Sequence, residues 1–483
     1  MKIPQRYKHT EFGLIPDDWV LCTFKDVLTT FSSGATPYRG IPEYYNGNIR
    51  WISSGELNYN VIYDTIEHIS ANAVRNTNLH ILNPSTFLMA ITGLEAEGTR
   101  GKCAFVGAPA TTNQSCLAIN GTDRMCVEYL FWFYRMWGDY LAFKYCQGTK
   151  QQSYTAEIVK KLPIYCPITI KEQNKIAEAL SDVDALITAL DKKIAKKRLI
   201  KQGAMQQLLT GKKRLPNFSE KWVSKKLGEI SRIKTGKRNG DEQVKNGKYP
   251  FFVRSNVVAR IDSYSFDGEA ILVPGEGGIG AIFHYVNGKF DYHQRVYKIS
   301  DFADAIYGKY VYYYMQRYFG EYALSLSVKA TVDSLRLPTF EEFSIALPNN
   351  IEEQQAIATI LSDMDKEIAD LEARRNKYKL IKSGMMQKLL TGQIRLVKPL
   401  APIIPLETPD AQIREIPLQT HVVAGHIVNA LYQSSGWGRT KLQKTLHLVG
   451  YHCQLDFGND YIRNTAGPDD QAMMNHIDSK FKQ

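Results

Sequence analysis

The chain predicts an α+β fold: two mixed α/β globular segments, two long helices pairing as an antiparallel coiled coil with pseudo-two-fold repetition, and a small helical C-terminal extension. Three observations predict it. Residues 170–215 and 351–396 align without a gap at an offset of 181, with about half of the positions identical. Inside each copy, apolar residues recur at alternating spacings of four and three. Before each copy lies a β-rich stretch of its own, and the two stretches are barely alike.

The repeated helices come first. Ile176, Leu180, Val183, Ile187, Leu190 and Ile194 form the seam of one, and Ile357, Leu361, Met364, Ile368 and Leu371 the seam of the other. An a/d stripe with charged flanks needs a partner helix, and each copy is the obvious partner of the other. Thr210-Gly211 and Thr391-Gly392 are helix stops. Some forty residues give a rod about 60 Å long. A charge at Leu361 is expected to abolish partner docking before it unfolds the globular parts.

The repeat sets the boundaries: 1–168, first globular segment; 169–215, central helix; 216–349, second globular segment; 350–396, second helix; 397–418, Pro-rich linker; 419–483, a small helical unit. Both globular segments open on a tryptophan in a short strand (Trp19, Trp222), followed by a helical turn. Both close on Leu-Pro and a second proline (Pro163 and Pro167; Pro338 and Pro348). Residues 50–52, 87–91 and 270–273 alternate as strands. The aromatic-rich stretches 127–144 and 305–324 read as helices whose rings form core.

Composition narrows the function. A hydrophobic content of 44% over 483 residues supports several folded domains, and a net charge of +11 favours a polyanionic partner, though charge alone fits a merely soluble basic protein equally. Seven scattered cysteines, without a CxxC pair, argue against a disulfide framework or zinc ribbon. No apolar leader and no membrane-spanning run is visible, which leads us to expect a cytoplasmic protein.

Enzyme signatures are weak. No phosphate loop occurs, and residues 274–280 (PGEGGIG) lack the βαβ context of a dinucleotide site. The pairs Asp182/Asp184 and Asp363/Asp365 read as a solvated helix face rather than a Mg²⁺ site. His447, His452 and Cys453 lack a fourth zinc ligand at suitable spacing. A binding surface is what remains. Gly-rich turns with basic, amide and hydroxyl residues recur in both segments. In the first they carry Thr36, Arg39, Thr92, Arg100, Lys102, Asn113, Gln114, Lys150 and Gln151. In the second they carry Lys237, Arg238, Arg254, Asn256, Gly277, Gly278, His293, Gln294, Arg295 and Lys329. Arginine grips guanine through two bonds, Asn or Gln does so with adenine, and glycine lets backbone N–H groups approach phosphate. Any one such loop is ordinary; the set, on a basic duplicated frame, points to nucleic acid.

Residues 10–27, 32–57 and 272–297, with the two EQ…LSD.D…LLTG helices, resemble the specificity subunit of type I restriction–modification systems across about residues 7–396. The resemblance implies two target recognition domains, each binding one half of a bipartite, asymmetric sequence in double-stranded DNA. It implies helices that space those domains and dock two methyltransferase subunits, with restriction/translocase subunits able to join. No catalysis is expected of this chain, and no bound cofactor: S-adenosylmethionine, ATP and Mg²⁺ would serve the partner subunits. The alternative readings are a non-catalytic assembly hub and a non-specific DNA-binding adaptor. Residues 441–444 and Gly467-Pro468 resemble part of a SocA-like antitoxin domain.

Overall fold

A computed structural model describes residues 7–95, 98–148, 152–278, 280–326, 334–397 and 418–431, with shorter pieces of 441–469. It divides into two units, Met1–Ala185 with Lys379–Gln483, and Leu186–Tyr378. The long helices, Ile170–Leu208 and Ile351–Leu390, each give one part to either unit.

In the first unit, Trp19–Thr23 pairs antiparallel with Pro163–Pro167, joining the beginning of the globular segment to its end. A five-stranded sheet runs Thr29–Ser33, Cys116–Asn120, Phe87–Ala90, Cys103–Val106, Asn60–Ile62, and Ile49–Ile52 lies between Glu67–Ile69 and Ala110–Thr112 in a smaller sheet. The helix Val127–Tyr145 buries Tyr129 to Tyr134 against the larger sheet's Phe87, Met89 and Leu117. Ile176 and Leu180, early in the first long helix, join this core, as do Leu389 and Leu390 from the end of the second.

The second unit repeats the plan. Trp222–Lys226 pairs with Ser344–Pro348. A six-stranded sheet runs Arg232–Thr235, Val296–Ser300, Phe266–Pro274, His284–Tyr292, Tyr249–Phe252, Ala259–Ile261. The aromatic helix begins at Gly308, three residues later than the sequence pattern suggests, and runs to Leu326. Gln354 explains the late start: its Oε1 accepts from the Tyr307 N–H at 2.9 Å, capturing the chain before the helix begins. Met205 and Leu208 from the first long helix and Leu209 just after it, with Ile357 and Leu361 from the second, close this core.

Within each unit the start of one long helix meets the end of the other, so their pairing is antiparallel. Glu172 binds the Arg395 guanidinium and Glu353 that of Arg214, each through both carboxylate oxygens. Asp184 receives Lys382 Nζ at 2.5 Å and Asp365 receives Lys201 Nζ at 2.5 Å. All four pairs map onto one another at the repeat offset. The seam residues Ile187, Leu190, Ile194 and Ile368 are buried, and Val183, Met364 and Leu371 half-buried.

Two expectations change. Asp182 and Asp363 are exposed, but Asp184 and Asp365 are half-buried in cross-helix ion pairs rather than on a solvated face. The spacing of the pair puts only its first member outward. The C-terminal extension is not helical throughout. Helix Leu418–Leu431 packs Ala424 with Leu442 and Leu446, but Ile462–Asn464 pairs antiparallel with Gly467–Asp469. The linker residues 398–417, and His447, His452 and Cys453, lie outside the described residues.

Candidate nucleic-acid interface

Each unit presents one turn built the same way. In the first, residues 113–116 turn outward from the Ala110–Thr112 strand. Asn113 N–H donates to Ile52 O at 2.9 Å, and Asn113 Oδ1 accepts from Ser115 N–H at 3.0 Å. In the second, residues 293–296 follow the His284–Tyr292 strand. His293 N–H donates to Phe252 O at 2.9 Å, and His293 Nδ1 accepts from Arg295 N–H at 2.9 Å. A side-chain acceptor bonding two residues ahead closes a tight turn, and an amide oxygen or an unprotonated imidazole nitrogen serves equally. Each turn carries an exposed glutamine at its tip, Gln114 and Gln294.

A glycine loop backs each turn. A Cβ on Gly34 would sit 1.7 Å from Thr112 O, and one on Gly236 would sit 2.1 Å from Tyr292 O. Only glycine permits these approaches. They place Thr36 and Asn239 against the glutamines: Thr36 Oγ1 donates to Gln114 Oε1 at 2.5 Å, and Gln294 Nε2 donates to Asn239 Oδ1 at 2.7 Å.

A third strand end flanks the turn. Ile91 N–H donates to Ser115 O and Gly275 N–H to Arg295 O; Tyr154 N–H and Leu335 N–H then return to Ile91 O and Gly275 O. The next residues form matching bridges, Thr92 with Ser153 and Glu276 with Ser334. Five positions therefore correspond between the units: Asn113 with His293, Gln114 with Gln294, Ser115 with Arg295, Thr92 with Glu276, and Ser54 with Arg254, the last two pairs lying two residues beyond their strands. One frame thus carries two different sets of side chains.

The structure sorts the remaining candidates. Arg39 forms a fork with Glu67 (2.6 and 2.7 Å) and lies over the Tyr45 ring at 4.4 Å; its hydrogen bonds, and then its charge, hold the Glu67 carboxyl below the usual range. Arg100 is packed near Asp139 and the Phe143 ring. Lys102 Nζ donates to Asn58 Oδ1 at 2.7 Å. Arg238 engages Asp291, Glu242 and Ser263 through its three nitrogens. Arg39, Lys102 and Arg238 thus bond to side chains of this chain, while Arg39 keeps 58% of its side chain exposed. Arg254 and Arg295, 54% and 61% exposed, lie on the face of the second unit, and Lys237 and Asn256 are exposed. Gly277 and Gly278 follow Glu276 with φ of 73° and 101°. Lys150, Gln151 and Lys329 lie outside the described residues. Glu276, which pairs with both exposed arginines, escaped sequence reading; its signal was a lone carboxylate inside a glycine loop on a basic face.

Comparison with known proteins places this frame. The family model for the type I restriction modification DNA specificity domain matches residues 16–198 and 219–379. The type I restriction enzyme MjaIX specificity subunit of Methanocaldococcus jannaschii is 27% identical over 290 residues, 55% of this chain and just under two thirds (65%) of that protein. The MjaVIII specificity subunit of the same organism is 23% identical over 441 residues, 82% of this chain and 98% of that protein. The crystal structure of a type I restriction–modification S subunit from M. genitalium superposes with a TM-score of 0.59 at 14% identity, covering 80% of this chain and 98% of that one, a likeness of fold. With the family model spanning well over half of its length, this chain belongs to the type I restriction–modification DNA specificity subunits.

Proposed function

We propose that the chain reads a bipartite, asymmetric site in double-stranded DNA, one half with each globular unit, and holds two methyltransferase subunits on its paired helices. Restriction/translocase subunits join that assembly. The observation carrying the first part is the matched turn: one backbone frame, two different sets of side chains, hence two different half-sites. S-adenosylmethionine, ATP and Mg²⁺ act in the partner subunits, and this chain performs no chemistry itself. The complex works in the cytoplasm; among the described residues, no helix is long and apolar enough to cross a membrane.

The helices support the second part. Lys196, Leu199, Ile200, Gly203 and Gln206 are exposed on the first, spaced along one face. Lys377, Leu380, Ile381, Gly384 and Gln387 are exposed on the second, identical at the repeat offset. Neighbouring exposed positions differ between the copies, as Lys192 and Ala373 or Gln202 and Ser383 do. A Cβ added at Gly203 or Gly384 would touch nothing within 4 Å. Mid-helix glycine costs about 1 kcal/mol relative to alanine, and the chain's own packing asks for neither glycine. Two identical apolar stripes fit two copies of one partner.

Methylation mapping of host DNA, with and without this chain, tests the reading. Two unlike half-sites at a fixed spacing are expected. Inserting four residues after Leu190, about one helical turn, should change that spacing. Equal protection of any duplex in a footprint would instead favour the assembly hub.

A further inference from the structure

We propose that Glu276 is a positioning residue that holds Arg254 and Arg295 as a pair of guanine readers, so that the half-site read by the second unit contains guanine at two positions. This rests on the DNA-reading function above and adds the base chemistry of one half-site. The geometry is specific. Glu276 Oε2 lies 3.3 Å from Arg254 Nη1, and Glu276 Oε1 lies 3.3 Å from Arg295 Nη1, so each oxygen serves one guanidinium. Each contact engages one amino group, and a guanidinium has five N–H donors in a planar fork. The carboxylate is only 22% exposed, whereas both arginine side chains are more than half exposed. The anion thus sits below the cations, anchored by the Glu276–Ser334 bridge and by Gly275 N–H on Arg295 O.

Charge alone does not account for this arrangement. A face built only to attract phosphate gains nothing from a half-buried carboxylate between its two cations, because the carboxylate cancels part of their field. What it supplies is orientation: two long side chains that would otherwise sample many rotamers are drawn to a common point. In the first unit the equivalent positions hold Ser54, Ser115 and Thr92. That unit lacks both readers and the anchor together, as expected if the three residues act as one device.

The test uses the full chain in complex with its methyltransferase subunits and a duplex library randomised across both half-sites. The unaltered protein is expected to select guanine at two positions of the second half-site, each by about 5- to 150-fold over other bases. Arg254→Lys and Arg295→Lys, which keep charge but lose the fork, should each erase one of those preferences. Glu276→Gln should remove most of both preferences and leave the first half-site unchanged. Tighter binding of Glu276→Gln to every sequence, with guanine preference intact, would overturn the proposal, since the carboxylate would then act only on charge. Loss of a cytosine preference at one position would overturn it too, by making Glu276 itself the reader. Two specific half-sites insensitive to all three substitutions would sink this inference and leave the function standing. An absence of any bipartite preference would sink the function.

Discussion

The two units share a scaffold and differ on a face. Gln173 and Gln354, at the same place in the two long helices, make the same three bonds. Gln173 Nε2 donates to Pro167 O and Arg124 O, both at 2.9 Å, and Oε1 accepts from Cys126 N–H at 2.9 Å. Gln354 Nε2 donates to Pro348 O at 2.9 Å and Ala305 O at 3.0 Å, and Oε1 accepts from Tyr307 N–H at 2.9 Å. Each glutamine ties its helix to the closing strand and to the loop before the aromatic helix. Yet at five matched positions around the outward turn only Gln114 and Gln294 agree. Where the chain must fold and hold together the copies stayed alike, and on the face proposed to meet DNA they parted.

The largest test of that division is a charge in the seam. Leu180→Asp and Leu361→Asp are each expected to destabilise their own unit by at least about 4 kcal/mol, through lost packing and a buried carboxylate. Hydrogen exchange of the full chain would show the opening confined to one unit. This revises the expectation that Leu361→Asp would abolish partner docking before it unfolded the globular parts. Leu361 is fully buried in one cluster with Tyr310, Phe319 and Phe340, so its loss breaks the domain core.

Next come the swapped ion pairs, where the copies differ in a useful way. Arg395 binds Glu172 and also Asp18, at 2.9 Å through two bonds. Arg214 binds Glu353, and Lys221 occupies the place of Asp18. Removing one partner of a buried pair strands the other, at about 3–5 kcal/mol. Glu353→Ala should approach that figure in denaturant unfolding. Glu172→Ala should fall to roughly half of it, because Asp18 still neutralises Arg395. Equal losses would show that Asp18 contributes nothing.

Legibility in the sequence follows range. The long helices were readable because their pattern is local and stated twice, and the outward turns because glycine, amide and basic residues cluster within a few positions. Which carboxylate each cation meets was not readable. Arg39 is committed to Glu67, 28 residues away, and Arg238 to Asp291, 53 residues away. No local signal separates them from Arg254 and Arg295. Glu276 was hidden for the same reason, since its meaning depends on two arginines brought to it by separate strands.

A smaller effect is expected at the shared glutamines. Gln114→Ala should relax base preference in the first half-site, and Gln294→Ala in the second, by about 1–3 kcal/mol each. Methylation of single-base variants of the site would measure this. A loss of preference at both halves from either substitution would mean that the units do not read independently.

The smallest expected effect, and the sharpest contrast, is pH. Asn113 and His293 close equivalent turns, but only His293 titrates. Its burial, then the nearby Arg254 and Arg295 charges, push its pKa below the ordinary 6.5, with Glu276 opposing. At neutral pH the ring is therefore uncharged and Nδ1 accepts from Arg295 N–H. The unfolded chain takes up its proton at a higher pH than the folded one. The stability of the turn is thus fully present above 6.5 and is lost as pH falls from there towards the lowered folded value. Protonation also turns Nδ1 into a donor facing another donor, which opens the turn carrying Gln294 and Arg295. Footprints taken from pH 7.5 down to 5.5 should show protection of the second half-site weakening before that of the first. His293→Asn, which copies the first unit, should remove the difference. If the two halves weaken together in the unaltered chain, the histidine turn is not an acid-sensitive counterpart of the asparagine turn.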